Sequence, residues 1–348
     1  MAFKNLTGVL LVNLGSPASP DPAPVRRFLR EFLSDPRVLT LPTAARWLLL
    51  NLVILPIRPR RTAKAYRQVW LPGGSPLLVH SRAHSEEVAR SLGDGFRVEL
   101  AMRYGSPSIM EGLAALEGAG ATRLIVLPLF PQYASAVTAS ISAAVFAALD
   151  RHNDCPPLEI LGPFFDEPDF AGSWAALAGP GLREFHPDHV VFSYHGLPED
   201  QIRSSDPAAG HCLASPDCCQ EPGRSLPRCY RAQCYATTRG LVEALGVDAE
   251  QTSSSFQSRL GRVPWIQPAT NELMAELAER GVRRLAVFCP SFVADCLETL
   301  EEVGIRLRAD WHALGGKDFW LAPCPNGDAG FAEAVAGWIR RRVPAPRP

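Results

Sequence analysis

Six short, β-rich apolar runs alternate with stretches of helical periodicity, and this order restricts the possible folds more than any other feature of the chain. The runs are "TGVLLVNLG", "FRVELAMRYG", "RLIVLPLFP", "HVVFSYHG", "RRLAVFCPSF" and "DFWLAPC". Helical patterns such as "SPLLVHSRAHSEEVARSL", "MEGLAALEG", "ASISAAVFAALDRH" and "AQCYATTRGLVEALG" lie between them. Strand–helix alternation predicts parallel sheets with helices on both faces. The strands fall into two groups, about 7–130 and 158–322, with "NDCPPLEILGPFFDEPD" as the boundary. A chain of 348 residues is too long for one core, since a domain takes roughly 100–200 residues. The last helical pattern, "DAGFAEAVAGWIRRRV", is expected to pack back on the first half.

Several function classes drop out early. The net charge of −1 provides no basic field for nucleic acid. No glycine-rich dinucleotide fingerprint and no phosphate loop follows any strand, which disfavours nucleotide binding. The N-terminus reads as a first strand rather than a signal peptide. The longest apolar run, "WLLLNLVILPI", is shorter than the roughly 18–20 residues that span a bilayer. The expected location is therefore cytoplasmic, a reading compatible with peripheral membrane contact. Oligomeric state, monomer or dimer, stays open.

Ligands of open α/β sheets sit at the carboxyl ends of strands, and two such ends are chemically rich. His195 directly follows the strand in "HVVFSYHGLP". "LAVFCPSFVADCLETLEE" runs from a strand into a helix carrying Asp295, Glu298 and Glu302 at i, i+3 and i+7, on one helical face. Each has an ordinary alternative meaning: Asp295 and Glu298 have the spacing of a helix cap, and a histidine at a strand end is often just a hydrogen-bonded loop residue. Ser75 in "GGSPL" has the position of an N-cap.

Five of the nine cysteines, Cys212, Cys218, Cys219, Cys229 and Cys234, fall in "HCLASPDCCQEPGRSLPRCYRAQC". A reducing compartment argues against a disulfide framework and for a metal or cluster site. Cys234 opens a helical pattern and looks least like part of that segment. The other four suit a [2Fe–2S] cluster or a structural zinc, although the C-x2-C pairs typical of zinc ribbons are absent.

"LLVNLGSP", "GGSPL", "LPLFPQYA", "SYHGLP", "FQSRLGRVPWIQP" and "CPSFVADCLETLEE" occur in the order and spacing of ferrochelatases, and the chain resembles that family over almost its whole length. The resemblance implies an α/β fold of two similar Rossmann-like domains, each a four-stranded parallel sheet flanked by helices, with a porphyrin held in the cleft. The first domain is expected over 1–160, with an apolar cleft lip at about 40–60 and the C-terminal helix, about 328–343, joined to it; the second is expected over 161–327, with the cysteine-rich insertion at 205–234. The implied reaction is insertion of Fe²⁺ into protoporphyrin IX, the terminal step of heme synthesis, with coproporphyrin as the alternative substrate.

Insertion must remove two pyrrole protons, so the site needs a neutral base and carboxylates to draw protons away. The resemblance makes His195 the base, with Glu298 facing it and Asp295 beside Glu298; His195 and Glu298 would hold the substrate iron loosely. Leu14 stands where many members have methionine near the porphyrin. Ser75, Tyr133, Pro198 and Trp265 match porphyrin-pocket positions, and Arg61 and Lys64 lie in the basic segment near the propionates. The run 47–57 matches a lip that touches the membrane in this family. Some microbial members bind a [2Fe–2S] cluster through an internal cysteine segment, which favours Cys212, Cys218, Cys219 and Cys229 as cluster ligands, with Cys234 in reserve. Two rival readings are a cobalt or nickel tetrapyrrole chelatase, and a heme or porphyrin carrier with an iron–sulfur sensor.

Overall fold

Val9, Leu10, Leu11 and Val12 of β1 (Thr7–Gly15) are fully buried, because this strand lies inside its sheet with both faces covered. The computed structural model describes residues 6–150, 155–259, 261 and 263–343. Leu260 and Arg262 of "FQSRLGRVPWIQP", Asn153 and Asp154 of the expected boundary, and the tail after Val343 lie outside the described residues.

From β1 the chain continues through α1 (Pro22–Ser34), α2 (Thr43–Leu48), α3 (Leu55–Val69), α4 (Pro76–Leu92), β2 (Phe96–Tyr104), α5 (Ile109–Gly118), β3 (Arg123–Pro128), α6 (Ser140–Leu149) and β4 (Leu158–Ile160). It goes on through α7 (Pro168–Phe185), β5 (His189–His195), α8 (Glu199–Ser204), α9 (Tyr230–Leu245), β6 (Thr252–Gln257), α10 (Thr270–Glu279), β7 (Arg284–Phe288), α11 (Arg308–Ala313), β8 (Asp318–Leu321) and α12 (Ala329–Arg340). π-Helical turns occupy Leu49–Ile54, Ser135–Ala139 and Glu298–Leu307.

The chain divides into two units, one made of 1–129, 135–162 and 326–348, the other of 130–134 and 163–325. Each holds a four-stranded, all-parallel sheet flanked by helices, ordered β2-β1-β3-β4 in the first and β6-β5-β7-β8 in the second. In the first unit α12 packs on α4, and Phe331 stacks on the buried ring of His84 at 4.9 Å. In the second, Val191, Leu277, Leu285, Val287 and Trp311 fill the core between sheet and helices.

Two strands differ from the sequence expectation. β4 is three half-buried residues, too short to show a pattern. β6, "TSSSFQ", reads as polar because its serines bond outward: Ser253 to His189, Ser254 to Thr238 and Ser255 to Thr270. Hydroxyl pairing here takes the place of the apolar alternation that marks most strands.

Candidate active site

β5 delivers His195 at its carboxyl end, paired with Gln257 of β6. The half-buried ring places Nδ1 2.6 Å from the Gly196 carbonyl oxygen. A carbonyl only accepts, so in the neutral ring this contact puts the proton on Nδ1 and leaves the lone pair on Nε2. Gly196 cannot be larger: an added Cβ would lie 2.7 Å from the Gln257 carbonyl oxygen and 3.1 Å from Cε3 of Trp265. The His195 backbone is held on both sides, its N–H donating to Ser291 Oγ (3.3 Å) and its carbonyl accepting from Tyr230 Oη (2.7 Å).

The carboxylates sit on an unusual helix. The α-helical spacing expected for Asp295, Glu298 and Glu302 gives way to ten residues of π-helix that begin at Glu298. The wider winding stacks residues four to five apart, so Glu298 and Glu302 neighbour each other while Asp295 precedes the helix. Glu302 accepts from Ser258 N (2.9 Å) and Oγ (2.7 Å). Burial pushes its carboxyl up and Glu298 adds to the rise, opposed by Ser258, His195 and Arg306. His195, Glu298 and Glu302 thus share one electrostatic neighbourhood. Asp295 is buried, accepting from Thr299 Oγ1 (2.8 Å) and the Cys324 N–H (3.3 Å). A polar cavity of about 340 Å³ opens beside Glu302, lined among others by Ser258, Glu272, Arg306 and Asp310.

Gln257 joins these parts. Its Oε1 accepts from Ser193 Oγ (2.7 Å), and its Nε2 donates to the Glu298 carbonyl (3.4 Å). One buried side chain therefore ties the strand bearing His195 to the start of the helix bearing Glu298. Sequence reasoning did not single out Gln257, Ser291 or Tyr230. Gln257 lies inside "FQSRLGRVPWIQP", Ser291 inside "CPSFVADCLETLEE", and Tyr230 follows Cys229.

Of the other second-unit residues, Pro198 and Trp265 pair as an isolated β-bridge next to Gly196, which brings both to the His195 loop. Tyr133 is half-buried, its N–H donating to Gln233 Oε1 (2.6 Å). In the first unit, Leu14 is half-buried at the end of β1. Ser75 is buried and caps α4 through the Leu78 N–H (3.2 Å), and it meets Ser16 Oγ at 2.5 Å, close to Leu14. Arg61 and Lys64 are exposed on α3. Trp47, Leu48, Leu52, Val53 and Ile57 expose large apolar side chains, and a cavity of about 450 Å³ beside them is lined by Arg30, Ser34, Thr43, Arg46 and Asn51.

All five cysteines of the insertion are buried. Cys229 lies in hydrogen-bonding contact with Cys212 and Cys219, and the sulfurs of Cys218 and Cys219 are 3.9 Å apart. Cys234 lies inside α9 against Tyr230, within electrostatic reach of Cys229. The Leu213 N–H donates to Cys218 Sγ (3.3 Å), and Arg231 Nη1 lies 3.9 and 3.7 Å from the sulfurs of Cys218 and Cys219. Burial, with Cys229 next to it, pushes the Cys212 thiol up to about 12. Four buried sulfurs with donors aimed at two of them are a chemically apt ligand set for a cationic centre. The sulfurs neighbour one another pairwise, and among the described residues no three His, Cys, Asp or Glu side chains are disposed as a ready metal site. The Asp206 carboxylate folds the segment, accepting from the N–H groups of Ala208, Gly210, His211 and Cys212 and from Ser225 Oγ.

Two four-stranded parallel sheets flanked by helices, one in each unit, are the fold of the solved chelatases to which the chain is similar. Solved structures agree in fold: SirB from Bacillus subtilis with Fe³⁺ matches with a TM-score of 0.56 at 13% identity, covering 97% of this chain and 95% of that one. The sirohydrochlorin chelatase SirB from Bacillus subtilis subspecies spizizenii, in complex with cobalt, matches with a TM-score of 0.53 at 12% identity, covering 97% and 94%. Sequence is more specific. The ferrochelatase family matches residues 6–343. A ferrochelatase of Coxiella burnetii (strain CbuG_Q212) is 45% identical over 339 residues, 97% of this chain and 94% of the relative. A ferrochelatase of Azotobacter vinelandii is 46% identical over 333 residues, 95% and 98%, and one of Legionella pneumophila (strain Paris) is 41% identical over 336, 97% and 99%. The chain belongs to the ferrochelatase family. It is a porphyrin ferro-lyase of heme biosynthesis, and ferrous iron and a porphyrin are its substrates.

Proposed function

We propose that the chain inserts Fe²⁺ into protoporphyrin IX to give protoheme, with His195 as the proton acceptor and Glu298 as the carboxylate that receives the metal and the departing protons. The observation that carries this reading is the 2.6 Å contact of His195 Nδ1 with the Gly196 carbonyl oxygen: a neutral ring so placed donates from Nδ1 and presents Nε2 as the accepting atom. Glu302, raised by burial and by Glu298, is the next proton store along the helix. Asp295 holds the approach to that helix through Thr299 and Cys324. Trp265 and Pro198 offer flat and rigid surface for the macrocycle next to the base, and Tyr133, Leu14 and Ser75 are the further porphyrin contacts that the family resemblance implies. Arg61 and Lys64 are exposed cations suited to propionates.

Residues 22–69 carry ten Lys and Arg against two Asp and Glu, in a chain whose net charge is −1. This basic excess, beside the exposed Trp47, Leu52 and Ile57, favours peripheral contact with an anionic membrane that holds the greasy substrate. Among the described residues no helix is long and apolar enough to cross a membrane.

The cysteine segment is proposed to hold a [2Fe–2S] cluster through Cys212, Cys218, Cys219 and Cys229. Metal insertion involves no electron transfer, so when bound the cluster supplies structural order or a sensor of iron or oxidation rather than a reaction step. The test of the substrate assignment is anaerobic insertion of Fe²⁺ into protoporphyrin IX and into coproporphyrin. A higher kcat/KM for protoporphyrin is expected, and a preference for coproporphyrin would reassign the substrate.

A further inference from the structure

Tyr230 is the first residue of α9, directly after Cys229, and it is buried. Its hydroxyl donates to the His195 carbonyl at 2.7 Å, so its own oxygen remains an acceptor, and Ser291 Oγ lies 2.8 Å away to fill it. Ser291 Oγ in turn accepts the His195 N–H at 3.3 Å. Both backbone polar groups of His195 are therefore held by a two-hydroxyl clasp. One member of that clasp is covalently joined to a cysteine that touches Cys212 and Cys219.

The middle of α9 is packed into the body of the unit, where Thr237 Oγ1 donates to the Phe165 carbonyl and Thr238 meets Ser254. The start of α9 is held by the insertion: the Cys229 N–H donates to the Ser225 carbonyl (2.7 Å), and Ser225 Oγ donates to Asp206 (2.8 Å). Where Tyr230 stands thus depends on whether the segment 206–229 is folded. His195 responds because its peptide groups have no slack: Gly196 is already closed against Gln257 and Trp265.

We propose that Tyr230 is a positioning residue for His195, and that through it the order of the cysteine-rich segment sets the rate of metal insertion. The inference rests on His195 being the base. It gives the segment a role in turnover without an electron-transfer step. Loss of that order loosens the start of α9, and the tyrosine then no longer holds the His195 carbonyl in place.

Tyr230→Phe removes one hydroxyl and keeps the ring, so the core stays filled. It should lower kcat roughly three- to ten-fold, the usual worth of one hydrogen bond, with the KM for porphyrin unchanged. In protein labelled with ¹⁵N-histidine, the ring signals missing from His195→Ala identify His195, and they should shift in Tyr230→Phe. Ser291→Ala should act on the same signals, and the double variant should fall short of the product of the two single effects. Cys212→Ser should slow turnover in the wild-type background and add little in Tyr230→Phe. Wild-type kcat in Tyr230→Phe, unchanged His195 signals, or fully multiplicative effects of Tyr230→Phe and Ser291→Ala would each overturn the proposal. Should Cys212→Ser fail to fold, the Tyr230 and Ser291 arms decide alone. Full turnover in His195→Ala would instead remove the base assignment, and the ring-signal shift would still report whether Tyr230 holds that loop.

Discussion

Gly196→Ala probes how tightly the His195 loop is built. The new Cβ would sit 2.7 Å from the Gln257 carbonyl oxygen and 3.1 Å from Cε3 of Trp265. Ordinary contact begins near 3.4 Å, so about 0.7 Å must be found at the carbonyl. A backbone oxygen inside a parallel ladder cannot supply it, because it already accepts the Gly196 N–H at 2.8 Å. The Gly196 peptide has to move instead, and its carbonyl is the partner of His195 Nδ1. Overpacking of this kind costs about 1–3 kcal/mol, which for a unit of this size lowers Tm by roughly 2–12 °C. The larger effect falls on the reaction: a base that loses its orientation forfeits part of the ~10²–10⁴-fold that a positioned base provides, so kcat should drop at least about ten-fold. The assay is anaerobic metal insertion followed by porphyrin absorbance, with thermal unfolding measured on the same sample. Gly172→Ala is the control: nothing lies within 4 Å of its added Cβ, and inside α7 the change should be neutral or stabilising by up to about 1 kcal/mol. If Gly196→Ala turns over and melts like the wild type, the close contacts do not fix the base and the reasoning fails.

Glu298→Gln should slow insertion by about a hundred-fold or more with stability changed by less than about 1 kcal/mol; near-normal turnover with a loss of about 1–2 kcal/mol would mark Glu298 as a mere helix-start residue. Protein purified without air should carry about two irons and two sulfides per chain and absorb in the visible, and Cys219→Ser should bleach it while Cys234→Ser does not. Stoichiometric zinc, or no metal at all, would replace the cluster. His84 is buried without a hydrogen-bond partner and its pKa is lowered from 6.5 to about 4 by burial, so between those values the unfolded chain binds more protons and stability falls as pH drops. The loss from pH 7 to 4.5 is about 2 kcal/mol, and His84→Leu should remove it, as read by urea unfolding at both pH values; an unchanged pH dependence would contradict the assignment.

The six apolar runs in the sequence correspond to six of the eight strands because buried parallel strands advertise themselves by composition. β6 escaped because its burial is satisfied by hydroxyl pairs, which look like loop chemistry in one dimension. The π-helix at Glu298 escaped because a 3.6-residue period assumes regular α-helical hydrogen bonding and does not mark the wider winding. His195 and Glu298 were singled out in the sequence because their motifs carry them as a set. Tyr230, Ser291 and Gln257 were not, since they act on backbone atoms, and a side chain 35 or 96 residues distant from His195 gives no sign of that bond in the sequence. Cys234 lies inside α9, as the helical pattern suggested.

The most direct test of the account separates binding from chemistry at His195. Porphyrin binding is followed by fluorescence quenching and insertion by single-turnover absorbance, both with His195→Ala and wild type under anaerobic conditions. The account predicts porphyrin affinity within about three-fold of wild type and insertion slowed by ~10²–10⁴-fold. Insertion at more than about a tenth of the wild-type rate, with binding intact, would contradict the claim that His195 takes the pyrrole protons.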